Sequence, residues 1–186
     1  MSRSPDLFTA ADVARFCEVD LKTIHNWAAR GKVPHHKTDG NHVRVHRVDL
    51  VAFLRRYEMP LPEDLRHGRP AVAVIGADEG EVAALQRALQ KRFEVETHED
   101  PIDALVAIGA SPPEVAVVCL PVVGIDLSHA LTRLRGMELT AHVRVILIGE
   151  EAIADLDDAS VFVPREKQSA TAARVREILE EMTGLA

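Results

Sequence analysis

The chain has 186 residues, of which 47% are hydrophobic and 27% charged, and its net charge is −7 at pH 7. This length holds one large domain or two small ones, and the composition is that of a globular protein rather than a disordered chain. No apolar stretch approaches the roughly 18 residues of a membrane span, and residues 1–6 carry no apolar signal core. We therefore expect a cytoplasmic protein without a membrane segment.

The two cysteines, Cys17 and Cys119, lie far apart in sequence and show no CxxC or Cys/His spacing. This pattern argues against a disulfide scaffold and against a zinc finger. We expect no metal and no cofactor.

Charge is distributed unevenly along the chain. Residues 1–69 contain 12 Lys and Arg against 9 Asp and Glu, whereas residues 70–186 contain 10 against 20. Within residues 21–57, eight basic residues and five histidines stand against two acidic residues. Such asymmetry predicts two domains with different partners, the first of them binding an anion.

A boundary between the two domains is predicted at residues 58–70. Three prolines and a glycine fall within these thirteen residues, which disfavours a continuous helix or strand and favours a semi-rigid linker. The predicted domains are therefore residues 1–57 and 71–186.

Two short helices are predicted near the start of the chain. Thr9 and Asp12 are spaced as a capping box, and Asp20 can cap a second helix over Leu21–Arg30. Gly31 then provides the left-handed residue that ends a helix. Two short helices separated by about three residues make a helix-turn-helix candidate.

The second of these helices has an apolar face and a polar face. Its apolar positions are spaced for burial in the core, so its tryptophan is interpreted as a core anchor rather than a base-stacking residue. These apolar residues are Leu21, Ile24, Trp27 and Ala28. The residues left to point outward are Lys22, Thr23, Arg30 and either His25 or Asn26.

A hairpin and a third helix complete the predicted first domain. Pro34–Lys37 and Val43–His46 are extended runs on either side of Thr38–Asn41, whose Asp-Gly-Asn favours a turn. Val48–Arg56 then has a helical pattern. Helix-turn-helix, hairpin and helix follow one another in the order of a winged DNA-binding domain.

About fifty residues resemble the MerR/excisionase-type winged helix domain, in particular its small BldC-like members. The segments that carry the resemblance are Leu7-Phe-Thr-Ala-Ala-Asp-Val-Ala, Val19-Asp-Leu-Lys-Thr-Ile, Trp27-Ala-Ala-Arg-Gly-Lys-Val33 and Thr38-Asp-Gly-Asn-His-Val-Arg44. The family's usual wing reads Arg-Thr-x-Gly-Gly-His-Arg-Arg. Gly40, His42 and Arg44 match it, while Asn41 and Val43 depart from it.

The resemblance implies that the second helix enters the major groove of double-stranded DNA and that the wing lies along the neighbouring backbone or minor groove. Lysine and arginine would neutralise phosphates, and Asn26 has the paired donor and acceptor that read adenine. The expected DNA-binding residues are Lys22, Thr23, His25, Asn26, Arg30, Lys32, Lys37, His42, Arg44 and Arg47.

Two other interpretations of this segment are open. The basic residues can form a merely solvated face, although their charge coincides with the order of the motifs. The histidines at 35, 36, 42 and 46 are zinc-type ligands, but alternation along a strand points His35 and His36 to opposite faces. We favour histidines that donate to phosphate and gain positive charge in mildly acidic solution.

Residues 71–186 alternate apolar runs with amphipathic helices, which predicts an α/β flavodoxin-like fold with a five-stranded parallel sheet. The predicted strands are Ala71–Ile75, Glu94–Thr97, Val115–Leu120, Val145–Ile148 and Val161–Val163, with Glu94–Thr97 at an edge. The predicted helices are Glu79–Arg92, Pro101–Gly109, Leu127–Arg135, Glu150–Leu156 and Ser169–Met182.

The segment Pro113-Glu-Val-Ala-Val-Val-Cys-Leu-Pro-Val-Val-Gly-Ile-Asp126 resembles the third strand and following loop of a two-component receiver domain. The resemblance places the phosphoacceptor position on Cys119, the acidic pair on Ala77 and Asp78, the switch threonine on Gly149 and the invariant lysine on Arg165. A thiol cannot form an acyl phosphate, and Asp78 with Glu79 makes a poor magnesium cage. Asp126 is a weak substitute because it lies in the loop.

These features predict a pseudo-receiver that does not undergo phosphorylation. Cys119 is interpreted as a small apolar filler rather than a redox sensor. The remaining functions for this domain are dimerisation, docking of a protein partner and binding of a ligand.

The sequence therefore predicts a non-enzymatic, nucleoid-associated bacterial regulator of transcription that acts as a homodimer or larger oligomer. The alternative is a nucleoid-associated scaffold that uses DNA as an anchor and recruits a partner protein through its acidic domain. A phosphotransfer function is disfavoured by Cys119.

Overall fold

A computed structural model describes residues 7–66, 68–153 and 156–185. The chain divides into two compact units, residues 1–67 together with 181–186, and residues 68–180. These boundaries differ from the predicted ones because the last residues of the chain pack with the first unit. Among the helices of the described residues, none combines the length and hydropathy that a membrane span requires.

The first unit is a helix-turn-helix followed by a small antiparallel sheet and a third helix. Its elements are β1 (Leu7–Thr9), α1 (Ala10–Phe16), α2 (Leu21–Ala29), β2 (His36–Lys37), β3 (Val43–His46), α3 (Arg47–Arg56) and a 3₁₀ turn (Glu63–Arg66). The sheet has the order β1-β3-β2, so the predicted hairpin is present and gains a third strand. Phe8 of β1 pairs with Val45 of β3.

Local side-chain chemistry starts and stops the two helices as the sequence predicts. The Thr9 hydroxyl accepts from the Asp12 amide at 3.2 Å, and the Asp12 carboxylate accepts from the Thr9 amide at 2.9 Å. Asp20 accepts from the Thr23 amide at 2.8 Å at the start of α2. Gly31 follows α2 with a φ of 68°, a backbone conformation that costs glycine nothing.

The predicted core face of α2 needs one correction. Ile24 and Ala28 are buried, and Trp27 packs on Phe53 of α3 with 5.7 Å between ring centroids. Leu21, in contrast, is 46% exposed. It is the first residue of the helix, next to the exposed cap Asp20, and lies beyond the turns that pack on the core.

The predicted linker is partly packed on the first unit. Leu65, in the 3₁₀ turn, is fully buried in this core, and Met59 and Leu61 pack against it. Arg15 of α1 forms an ion pair with Asp64 at 2.8 Å. Residues 59–65 are therefore part of the N-terminal core, because their apolar side chains find a surface there.

The second unit is a parallel five-stranded sheet with helices between its strands. Its strands are β4 (Ala71–Ile75), β5 (Glu94–His98), β6 (Val115–Cys119), β7 (Arg144–Gly149) and β8 (Ser160–Pro164). Its helices are α4 (Glu79–Leu89), α5 (Pro101–Ala110), α6 (Leu127–Gly136) and α7 (Gln168–Thr183), of which α7 belongs to this unit only up to Glu180. The strand order is β5-β4-β6-β7-β8, all parallel, so β5 is an edge strand as predicted. Strands β4 and β6 are buried along their whole length.

Two predicted helices of the second unit differ from the structure. Helix α4 ends at Leu89 rather than Arg92, and the chain then turns to bury Phe93. The described part of 150–156 is not helical, although Ile153 and Leu156 pack on the core. A helix of two turns has little intrinsic stability, so the packing of these two side chains decides the backbone conformation.

Candidate functional site

The exposed face of α2 carries the polar residues that the sequence analysis assigns to DNA. Lys22, His25 and Asn26 are exposed on this face, as is Arg30, the residue that caps the end of α2. Thr23 is half-buried, and its hydroxyl donates to Asp20 Oδ2 at 3.0 Å, so it also belongs to the cap. Four polar side chains that can reach a ligand therefore project from one short helix and its C-cap.

The predicted wing residues are also available. Lys32, Lys37 and His42 are exposed, and Arg44 on β3 is half-buried with its guanidinium donating to the Val43 carbonyl at 3.0 Å. Asn41 has a φ of 60° at the hairpin turn, which asparagine tolerates better than most residues. The hairpin thus presents its basic side chains to solvent.

These cations are not neutralised within the protein. Among the residues that the structure describes, no carboxylate lies within 4.0 Å of the cationic groups of Lys22, Arg30, Lys32, Lys37 or Arg44. Two other arginines of the unit are paired, Arg15 with Asp64 and Arg55 with Glu181. Arg56 on α3 is also exposed without a carboxylate partner. Five of the six uncompensated cations that the structure describes in this unit therefore lie on α2, the segment after it and the hairpin.

Arg47 is a correction to the predicted DNA-binding set. Its side chain is only 2% exposed, and Nη1 donates to the carbonyl of Leu65 at 2.6 Å. Because its guanidinium is used inside the core, Arg47 is not available to a phosphate. Of the eight basic residues in residues 21–57, Arg47 therefore serves the core of the unit rather than ligand binding.

The second unit contains a cavity of about 510 Å³ at the carboxyl ends of its strands. Four of the six residues predicted for the receiver-like pocket line it: Ala77, Asp78, Cys119 and Arg165. Glu79 and Gly149 do not. A Cβ on Gly149 would lie 3.0 Å from Leu120 Cδ1, so Leu120 leaves little room for a threonine side chain at this position.

Glu81, which the sequence analysis did not assign to the pocket, is its central acid. The carboxylate accepts two hydrogen bonds from Arg165, Nε to Oε1 at 2.9 Å and Nη2 to Oε2 at 3.1 Å. Arg165 Nη2 also donates to the Leu120 carbonyl. This hydrogen bonding to Glu81, opposed by partial burial, raises the pKa of Arg165 above its usual value.

The divalent cation implied by the receiver resemblance does not fit these residues. Asp78 Oδ1 already accepts from the Glu81 amide at 2.7 Å as the cap of α4. Glu81 is bound to the guanidinium of Arg165, so a metal ion would face a fixed positive charge. Magnesium also prefers several oxygen ligands in octahedral geometry, and this pair of carboxylates does not offer them.

Cys119 is poorly suited to chemistry. It is 4% exposed, and its burial, reinforced by the negative charge of Glu81, raises the pKa of the thiol to about 12. The thiolate is the reactive form of cysteine, and at neutral pH it is almost absent here. The structure thus favours the interpretation of Cys119 as a buried apolar filler.

We expect that acetyl phosphate, or beryllofluoride with magnesium, will leave the mass and the oligomeric state of the protein unchanged. The position of the acceptor holds a thiol, and the surrounding carboxylates are engaged with Arg165 and with the α4 amide. Cys119→Asp alone should not restore a response, because Leu120 still crowds Gly149. Intact-protein mass spectrometry after acetyl phosphate measures the mass, and sedimentation velocity with beryllofluoride and magnesium measures the oligomeric state, each with a phosphorylatable receiver as the positive control. Labelled phosphate on the wild-type chain would contradict this expectation.

Comparison with known proteins relates the first unit to a family of domains and the second unit to solved structures. A family model described as a helix-turn-helix domain matches residues 7–57. No curated protein matches the sequence. The second unit is similar to solved receiver structures, two of which show the extent of the likeness.

The first is the chemotaxis response regulator CheY4 of Vibrio cholerae, with a TM-score of 0.51, 12% identity, and coverage of 60% of this chain and 99% of that chain. The second is the phosphorylated cyanobacterial phytochrome response regulator RcpA, with a TM-score of 0.55, 17% identity, and coverage of 64% and 97%. Residues 7–57 thus match a helix-turn-helix domain, and the second unit has the receiver, or flavodoxin-like, fold.

Proposed function

We propose that the protein is a bacterial transcription regulator that binds specific sites on double-stranded DNA through a MerR-like winged helix-turn-helix. The observations that support this proposal are the five uncompensated cations on α2, the segment after it and the hairpin, and the exposed Asn26 on α2. Lysine and arginine supply affinity through phosphates, and asparagine supplies discrimination through the adenine edge. In this role the protein acts on the nucleoid in the cytoplasm and is not an enzyme.

The receiver-like unit contributes without phosphorylation. The Glu81–Arg165 ion pair occupies the site at which a phosphorylated receiver would change state, and Cys119 offers no acceptor. We propose that this unit holds two copies of the protein together and needs no covalent signal to do so.

The surface that we propose for dimerisation is the outer face of α5. Ile102 and Val106 are 56% and 68% exposed, and Gly109 follows one turn later on the same side. In a two-fold contact of antiparallel α5 helices centred between Leu105 and Val106, Ile102 of one copy would lie opposite Gly109 of the other. A large residue opposite a small one gives the self-complementarity that a two-fold interface needs.

Charge supports a second copy as the occupant of this surface. The exposed residues Asp103 on α5 and Arg133 on α6 have no ion partner within the described ranges. Arg133, together with Leu105 and Gly109, lines the groove between α5 and α6. Each copy therefore offers an acid and a base beside the same apolar surface, which suits reciprocal pairing across a two-fold axis.

Sequence preference tests the proposed function most directly. We expect the full chain to select a defined site from a random pool of DNA duplexes. Asn26→Ala should flatten the preference at one base pair by roughly 1–3 kcal/mol and leave non-specific affinity nearly unchanged. Arg56→Ala, an exposed change on α3, is the control. If Asn26→Ala leaves the selected site and its affinity as they were, Asn26 does not read DNA.

A map of genomic occupancy separates regulation from the scaffold role. Few occupied sites near promoters, with changed expression of the adjacent genes, support a regulator. Broad occupancy without changes in expression would contradict it and support a scaffold that recruits a partner through the acidic unit.

A further inference from the structure

The last residues of the chain pack as part of the helix-turn-helix unit. Thr183 is fully buried and Leu185 is nearly so. Residues 181–186 group with residues 1–67 rather than with the receiver-like fold that precedes them in sequence. We call residues 181–185 the C-terminal segment. The first unit is therefore assembled from both ends of the chain.

Arg47 holds this segment from inside the core. Its Nη1 donates to the Thr183 carbonyl at 3.3 Å as well as to the Leu65 carbonyl at 2.6 Å, and its guanidinium carbon lies 5.9 Å from the centre of the Phe8 ring. A buried charge is tolerated only where polar groups solvate it. Removing the C-terminal segment would take one of these carbonyls away and leave the buried guanidinium with one hydrogen-bond acceptor fewer.

Two further contacts fix the C-terminal segment on α3. Arg55 Nη1 bonds to Glu181 Oε1 at 3.0 Å. Gly184 has a φ of 73°, and a Cβ added there would lie 3.0 Å from Val51 Cγ2. Both the backbone conformation and the close approach to α3 therefore call for glycine.

We infer that DNA binding by the helix-turn-helix unit requires the C-terminal segment to stay packed on it, and that release of the segment switches binding off. Arg47 is the first residue of α3 and follows directly on β3, the strand that carries Arg44 of the proposed DNA-binding set. Loosening Arg47 would therefore loosen the anchor of the hairpin. The segment is the end of α7, a helix whose residues up to Glu180 belong to the second unit. This inference rests on the proposed function for its DNA-binding part only.

The chain provides its own probe for the test. Trp27 is the only tryptophan and lies in the first unit against Phe53, so its fluorescence reports unfolding of that unit in the full-length protein. The variants are a chain that ends at Glu180, Gly184→Val, and the milder Gly184→Ala. Gly136→Val is the control, because a Cβ there meets nothing within 4 Å in the second unit.

We expect the truncation and Gly184→Val to lower the Trp27 unfolding midpoint by roughly 5–15 °C and Gly136→Val to leave it unchanged. At 25 °C, below these midpoints, DNA affinity should fall at least about tenfold. If the truncated chain does not fold, Gly184→Ala measures both quantities on a folded protein.

An unchanged midpoint would overturn the packing role of the segment, and a lowered midpoint with wild-type affinity would overturn the switch. If the wild-type chain binds no DNA at all, the proposed function fails, and the midpoints still decide whether the segment closes the unit.

Discussion

Val106→Glu is expected to lower the apparent affinity of the full chain for a DNA containing two half-sites by about 10²–10⁴, with little change for a single half-site. The reason is that a dimer holds its second DNA-binding unit at high effective concentration once the first has bound. A carboxylate placed at the centre of the proposed α5 contact would be buried against its own symmetry copy, which is strongly unfavourable. Because Val106 is 68% exposed, the fold of each copy should tolerate the change.

A matched control is available on another helix of the same unit. Gln86→Glu adds the same charge on the exposed face of α4 and should leave both assembly and DNA affinity unchanged. Sedimentation velocity measures assembly, and titration of one-site and two-site duplexes measures affinity. Fusing an unrelated dimeric domain ahead of residue 1 of the Val106→Glu chain should recover most of the lost affinity.

The possible outcomes separate the roles of the receiver-like unit. A Val106→Glu chain that remains dimeric would show that the contact lies elsewhere. A wild-type chain that sediments as a monomer while binding DNA with full affinity would contradict assembly, and the docking of a partner protein or a ligand would become the better explanation.

Most of the fold was predictable because its signals are local. Thr9 with Asp12, and Asp20 with Gly31, mark helix ends within a few residues of one another, and the structure confirms these caps. The apolar runs that become β4 and β6 are buried on both faces, as a parallel sheet requires. The predicted flavodoxin-like class is therefore confirmed.

The residues that escaped prediction depend on partners distant in sequence. In the sequence, Arg47 is one more basic residue of a basic segment. In the structure, it donates hydrogen bonds to the carbonyls of Leu65 and Thr183, which are 18 and 136 residues away. Glu81 did carry a local signal, since it lies on the helical stripe of Leu85 and Leu89 and is buried with them. A carboxylate within an apolar stripe needs a cation, and that cation, Arg165, is 84 residues further on.

Contacts between residues that are distant in sequence also explain why the observed domain boundaries differ from the predicted ones. The proline-rich composition of residues 58–70 favours a linker, yet Leu65 packs on the first core and receives the hydrogen bond of Arg47. A fragment ending at residue 69 would also lack Thr183 and Leu185. Experiments on DNA binding should therefore use the full chain with point changes, as the dimer test above does.

The dependence of DNA binding on salt is expected to be steep and to report the number of phosphates contacted. Five uncompensated cations belong to the proposed DNA-binding set, namely Lys22, Arg30, Lys32, Lys37 and Arg44. If each displaces one counterion, log K falls with log salt with a slope of about −4.5 for one unit, which is a loss of roughly 500-fold between 50 and 200 mM salt. The Val106→Glu chain on a single half-site isolates this one-unit slope.

Lys22→Ala should weaken binding to every sequence and make the slope shallower by about 0.9. Lys91→Ala removes the same charge from an exposed position in the second unit and should leave the slope unchanged, so it is the matched control. The two variants have the same net charge and differ in where the charge is lost. If both lower the slope equally, attraction to DNA comes from the overall charge of the chain, and α2 and the hairpin are not the interface.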